Sequence, residues 1–159
     1  MKIVYYGFEE FVAPIIAAAL HCGMLKVDPL PSEKEIIDIL RAKRKKIDYA
    51  KINYFGTDED KHQVYTLGTR RAGPVIRRTL PGILTILGIE NDDLLLVDTG
   101  PCKNLSLNLG KLFCSKLNIP LQKNFFLLKG IFRSLPELAA TVDGAKLIIE
   151  GRTKRKGNR

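Results

Sequence analysis

The residues with most chemical promise sit where apolar runs stop. LLLVD at 94–98 is a continuous apolar run ending in an acid, and Thr99, Gly100 and Pro101 follow it. KIVYYG at 2–7 ends on Gly7, FFLLK at 125–129 ends on Lys129 before Gly130, and Arg70-Arg71-Ala72-Gly73 leads into a Gly-Pro helix start. In open α/β sheets ligands bind beyond the carboxyl ends of the strands. On that rule Gly7, Arg70, Arg71, Gly73, Asp98, Thr99 and Lys129 gather along one edge. An acid, a threonine, a lysine and two arginines there suit a phosphorylated ligand. Asp98 has a second use, since a strand-end aspartate commonly hydrogen-bonds its own turn or caps the next helix. Arg70 and Arg71 also read as plain surface charge.

The junction after the first apolar run is a poorer phosphate binder than its position suggests. A helix N-terminus takes an anion through free N–H groups and the positive end of its dipole. Here Phe8, Glu9, Glu10 and Phe11 occupy the junction. The phenylalanines obstruct close approach, and the glutamates compensate the dipole and repel phosphate, at about 1 kcal/mol per contact even with water-like screening.

Motifs that would name a reaction are missing. The sequence has no GxxxxGK[ST], no GxGxxG after the first run and no GxSxG. Cys102 sits in a strand-to-helix loop, where a dipole can lower a thiol's pKa. A cysteine-phosphatase loop needs an arginine six residues on, and that position holds Asn108. His21 closes an alanine-rich helical stretch and His62 lies beside a polar turn, so both read as structural or exposed. With Cys22, Cys102 and Cys114 they form no CxxC and no zinc-ligand spacing. The expectation is reduced thiols and no metal; no cofactor is implied.

The elements that must position these residues follow from the pattern. Residues 2–7 read as a buried strand and 12–22 as a helix with Pro14 in its first turn and Gly23 behind it. Ser32-Glu33-Lys34-Glu35 is a capping box opening a second helix, with Ile36, Ile37, Ile39 and Leu40 as its apolar face. Its end, RAKRKK at 41–46, reads as a solvated helix terminus complementing the dipole, with a nucleic-acid patch as the alternative. Two β-like runs, 51–55 and 62–67, flank GTDEDK and predict a hairpin. A helix from Gly73 to about Leu87 contains Pro81-Gly82, which should kink or split it. Strand 94–98, a helix over 104–117, strand 125–129 and a last helix over 135–149, capped by Ser134 and Glu137, complete the order. Strands alternating with helices imply a three-layer α/β sandwich with a mostly parallel sheet, the hairpin as an antiparallel edge, and a P-loop-like or flavodoxin-like topology.

The bulk numbers fit this. One hundred and fifty-nine residues suffice for one domain, over 1–150, and 45% hydrophobic with 27% charged residues is a globular balance. No apolar run approaches the ~20 residues of a membrane span, and the N-terminus is no signal peptide, so the expected location is the cytoplasm. The net charge is +9, and five of the positives lie in RTKRKGNR at 152–159. With no apolar residue to bury, 151–159 reads as a disordered basic tail.

AAALHCGML, FGTDEDKHQVYTLGTRRAG, LLLVDTGPCKNLSLNLGKLFCSKL and the later LKG together resemble domain-of-unknown-function family 3189, small α/β proteins of spore-forming bacteria. The resemblance covers the chain to about residue 145. It implies an α/β fold with an ordered strand-end edge, and no known reaction. Asp98, Thr99, Pro101 and Asn104 fall on one shared motif, which adds Asn104 to the ligand-edge candidates. Gly56, Thr57, Asp58, Tyr65, Gly68 and Gly73 fall on the hairpin motif. The family's first strand leads into a glycine-rich stretch with Thr, His and Ser, and this chain departs there with FEEF. The expectation is therefore a small-molecule-binding domain of phosphate or nucleotide type with reduced or lost catalysis. The alternative is a nucleic-acid-associated protein using Arg152, Lys154, Arg155 and Lys156 for weak, salt-dependent contact.

Overall fold

The computed structural model describes residues 1–7, 12–44, 51–69, 72–88, 93–100, 102 and 125–157. The elements are β1 (Lys2–Gly7), α1 (Ala13–His21), α2 (Glu33–Arg44), β2 (Ile52–Thr57), β3 (Gln63–Gly68), α3 (Gly73–Ile86), β4 (Leu94–Asp98) and α4 (Phe125–Gly157). The strands form one sheet in the order β2-β3-β1-β4. β1 runs parallel to β3, with Gly7 opposite Gly68, and parallel to β4, with Tyr6 opposite Asp98. β2 pairs antiparallel with β3 and bulges between Tyr54 and Gly56. From β1 the chain moves to β3 on one side and then crosses to β4 on the other, so the sheet reverses direction at β1.

The period of two along β1 creates the layers. Ile3 and Tyr5 enter a core with α1, α2 and α4, while Val4 and Tyr6 join Leu67 on the opposite face, against Ile76 of α3. Every residue of α1 is buried. Ala17, Ala18 and Ala19 carry little side-chain bulk, which lets this helix lie close between the sheet and the outer helices. α3 is the reverse case: none of its residues is fully buried, and Val75, Ile83 and Ile86 are exposed. The α/β sandwich read from the sequence is thus present, with the hairpin as its antiparallel edge.

The largest correction lies at the C-terminus. Residues 125–129 are the first turns of α4 and not a strand, and α4 is one helix of 33 residues, about 50 Å long. Seven of its buried positions, Leu128, Ile131, Leu135, Leu138, Val142, Ala145 and Ile149, recur every three or four residues through Pro136, with Leu127, Gly130 and Ser134 buried beside them. That stripe makes FFLLK helical, because a short apolar run has no period of its own and takes its state from its neighbours. Ser134 therefore caps nothing and donates its hydroxyl to the Ile131 carbonyl at 3.0 Å within the helix. The helix also runs through residues 151–157 where a disordered tail was expected, and Arg152 donates to the Leu94 carbonyl at 3.0 Å, tying this end to the start of β4. α3 likewise passes Pro81 without splitting.

The capping box of α2 forms as read. Ser32 N–H and its hydroxyl both reach Glu35 Oε2 at 2.7 Å, and Glu35 N–H returns to Ser32 Oγ at 3.3 Å. These bonds hold the Glu35 carboxyl below its ordinary range. The helix read over 104–117 lies outside the described residues.

Candidate functional site

The carboxyl end of the sheet is closed by two threonines acting alike. Thr69, after β3, gives both its N–H and its hydroxyl to the Gly7 carbonyl at 2.9 Å. Thr99, after β4, gives its N–H at 2.9 Å and its hydroxyl at 3.0 Å to the Tyr6 carbonyl. Both are buried. A carbonyl has two lone pairs, so each of the last two carbonyls of β1 is filled by one residue of a flanking strand. Gly7 is required by this closeness: a Cβ there would lie 2.8 Å from Thr99 Oγ1 and 3.3 Å from Pro14 Cγ. Gly73 faces Thr69 Oγ1 in the same way, at 3.2 Å.

Of the residues expected along this edge, Gly7, Gly73, Asp98 and Thr99 are brought together. Thr99 serves the fold through its bonds to Tyr6. Asp98 takes the local use weighed for it: Oδ1 accepts the Gly100 N–H at 2.7 Å. Burial, then the negative charge of Asp98, raises the Tyr6 pKa above its ordinary value. Asp98 remains exposed. Lys129 entered the set only as the end of a strand; it lies in the first turns of α4 with its ammonium 5.7 Å from the Phe125 ring centre. Arg70, Arg71 and Asn104, and the junction 8–11, lie outside the described residues. Cys102 is buried with Sγ 3.5 Å from Thr141 Oγ1, and burial raises its thiol pKa, the opposite of an activated nucleophile.

The opposite end of the sheet holds the group that the sequence reading passed over. His21, the last residue of α1, is buried, and its Nδ1 lies 2.7 Å from the Tyr5 hydroxyl in the middle of β1. Its Nε2 lies 3.2 Å from Asp58 Oδ2 at the start of the β2–β3 turn. Across that turn His62 Nδ1 reaches the same Oδ2 at 2.9 Å, and His62 N–H reaches Oδ1 at 2.7 Å. The partners dictate the protons. An ionised carboxylate only accepts, so His21 donates from Nε2 and its Nδ1 accepts from Tyr5; His62 donates from Nδ1. Burial holds His21 below its ordinary 6.5, with Asp58 partly opposing. Asp58 stays below its ordinary 3.8: burial pushes it up, but the bonds from His62 and His21 outweigh that. Burial, then Cys22 and Asp58, raises Tyr5 far above the usual phenol range. Cys22, beside His21, is pushed up to about 11 by burial and Asp58.

Asp58, Asp60 and His62 each bring a ligand atom within 4.8 Å of the others, the metal-like grouping among the described residues. Asp60 is exposed, and the other two members are bonded to each other: His62 Nδ1 to Asp58 Oδ2 and the His62 N–H to Asp58 Oδ1. The signal for this end was available. A histidine on an otherwise apolar, all-inward helix must find a partner, and an aspartate and a histidine four apart across a tight turn meet readily.

Among the described residues no helix is long and apolar enough to cross a membrane. No curated protein and no solved structure matches the chain. Residues 2–147 match the family described as protein of unknown function DUF3189. Both ends of the sheet, the hairpin and most of α4 fall inside that span, and the chain belongs to the DUF3189 family.

Proposed function

We propose that the chain is a small-molecule-binding α/β domain taking a phosphate- or nucleotide-type ligand at the carboxyl end of β1. The observation that carries this reading is the reversal of strand order at β1, with β3 and β4 on either side. A reversal leaves a crevice beyond the strand ends, the usual ligand position in such sheets. Gly7 and Gly73 keep its floor low, and the backbone N–H groups opening α3 have no side-chain cap. Asp98 is exposed at the rim. Arg70 and Arg71, which lie between Thr69 and Gly73 in sequence, supply positive charge for phosphate oxygens. Phe8, Glu9, Glu10 and Phe11 replace the small residues that a phosphate-gripping first loop needs, which favours binding with reduced or lost catalysis over turnover.

The test is a thermal-shift panel of inorganic phosphate, nucleotides and phosphorylated metabolites on the full chain. A ligand at about a hundred times its Kd contributes roughly 2.7 kcal/mol, a midpoint shift of several degrees for a domain of this size. A shift that Arg71→Ala abolishes while the unliganded midpoint stays put supports the reading. A cooperatively melting chain with no shift across the panel overturns it.

A further inference from the structure

The Tyr5–His21–Asp58–His62 chain lies at the other end of the sheet and has no part in the proposed ligand site. It joins three segments far apart in sequence: the middle of β1, the last residue of α1, and both sides of the β2–β3 turn. Other titratable groups face it from each packed element. Cys22 follows His21, Lys43 of α2 faces Cys22, and α4 turns Asp143 toward Tyr5 and Lys146 toward His21 and Cys22.

The bonding works in one protonation state only. Neutral His21 has one donor and one acceptor, and both are used. A proton added at Nδ1 would turn that nitrogen from acceptor to donor; the Tyr5 oxygen can accept from it, but the Tyr5 O–H then loses its acceptor. Tyr5 is fully buried, so its hydroxyl would need a new acceptor away from water, and the new cation would face Lys146. Asp58 is the common acceptor for His21 and for both groups of His62. A proton on Asp58 Oδ2 replaces the charged acceptor shared by the His21 Nε2–H and the His62 Nδ1–H with a donor, and it takes the negative charge from the bond that Oδ1 accepts from the His62 N–H.

We propose that this chain is a proton-operated latch: with His21 neutral and Asp58 ionised it fastens the β2–β3 turn to the C-terminal end of α1, and proton uptake releases the turn. The direction follows from linkage. A histidine whose closed-state pKa is depressed takes up its proton more readily when open, so opening is favoured as pH falls from about 6.5 toward the closed-state value. Asp58, depressed in the closed state, acts in the same direction at lower pH. One linked proton changes the opening equilibrium by up to about tenfold per pH unit.

The experiment is a pH series on the full chain by NMR, from pH 7.5 to 5.0, following ring resonances of His21 and His62 and amide-exchange protection factors. The His62 N–H, bonded to Asp58 Oδ1, is the reporter, and the amides of Val4 and Tyr5 are the reference. The expected result is a loss of protection at His62 of tenfold or more across the series with less than twofold change in β1. His21 should titrate below 6.5, and Asp58→Asn should show low, pH-independent protection at His62. The latch is overturned if His62 protection tracks β1 at every pH, or if His21 titrates at or above 6.5. The wild-type series decides the matter even if the variant does not fold.

Discussion

The two ends of the sheet are held by opposite means. At the carboxyl end, Thr69 and Thr99 close on the carbonyls of Gly7 and Tyr6 with four neutral hydrogen bonds, and the closeness is set by an absent side chain at Gly7. At the amino end, one carboxylate gathers three donors from two histidines, and the closeness is set by charge. The first arrangement is indifferent to pH and intolerant of bulk. The second depends on protons. An edge meant to keep its shape while a ligand comes and goes suits the first. The second can change its bonding without moving the sheet.

Substitutions sharpen this contrast. Gly7→Val should have the largest effect: its branched side chain meets a buried threonine and Pro14, so a loss of about 3 kcal/mol or more in denaturant unfolding is expected, equal at pH 7.5 and 5.5. Asp58→Ala should follow at about 2 kcal/mol at pH 7.5, because it leaves the buried His21 N–H without an acceptor. Its effect should shrink with acid, since a depressed carboxylate contributes above its ordinary 3.8 and loses that contribution as pH falls through its folded value. Equal losses for Asp58→Ala at pH 7.5 and pH 3 would erase the distinction between the ends. Thr69→Val and Thr99→Val each remove one hydroxyl bond while leaving the N–H bond, for about 1 kcal/mol apiece. A double mutant should show whether the two clamps couple through their adjacent acceptors. Asp98→Asn should be smallest, below about 0.5 kcal/mol at an exposed turn. If Asp98 touches the ligand, that variant should weaken binding without moving the unliganded midpoint.

Much of the scaffold was legible. The capping box at Ser32 and Glu35, the hairpin around GTDEDK and the buried runs 2–7 and 94–98 each carry a local signal that packing preserved. FFLLK was misread because four apolar residues in a row have no period. The stripe from Leu128 to Ile149 becomes visible only when Pro136 is not taken as a boundary, and Pro136 is exposed where the helix tolerates it. At the carboxyl edge the glycine, the acid and the threonine were found, but Thr99 turned out to serve β1 and Asp98 its own turn. The polar chain at the other end was missed for a plain reason. Tyr5, His21 and Asp58 meet across separations of 16 and 37 residues, and no spacing rule reaches that far. Burial was the usable signal: each sits where an unpaired polar group would cost about 1–3 kcal/mol.

The central position of β1 also governs when the molecule can be completed. Its first residue pairs with Gln63 on one side and with Leu94 on the other. Of the four strands β1 is made before the others, and it waits longest for its neighbours. At about 5–20 residues per second the second neighbour arrives some 5–20 s after the strand itself. Through that interval an apolar IVYY edge stands unpaired, the kind of edge that recruits other chains. Local contacts with α1, which follows within a few residues, are the first shelter available to it. The consequence of placing the earliest of the four strands at the centre is a dependence on what covers it during synthesis.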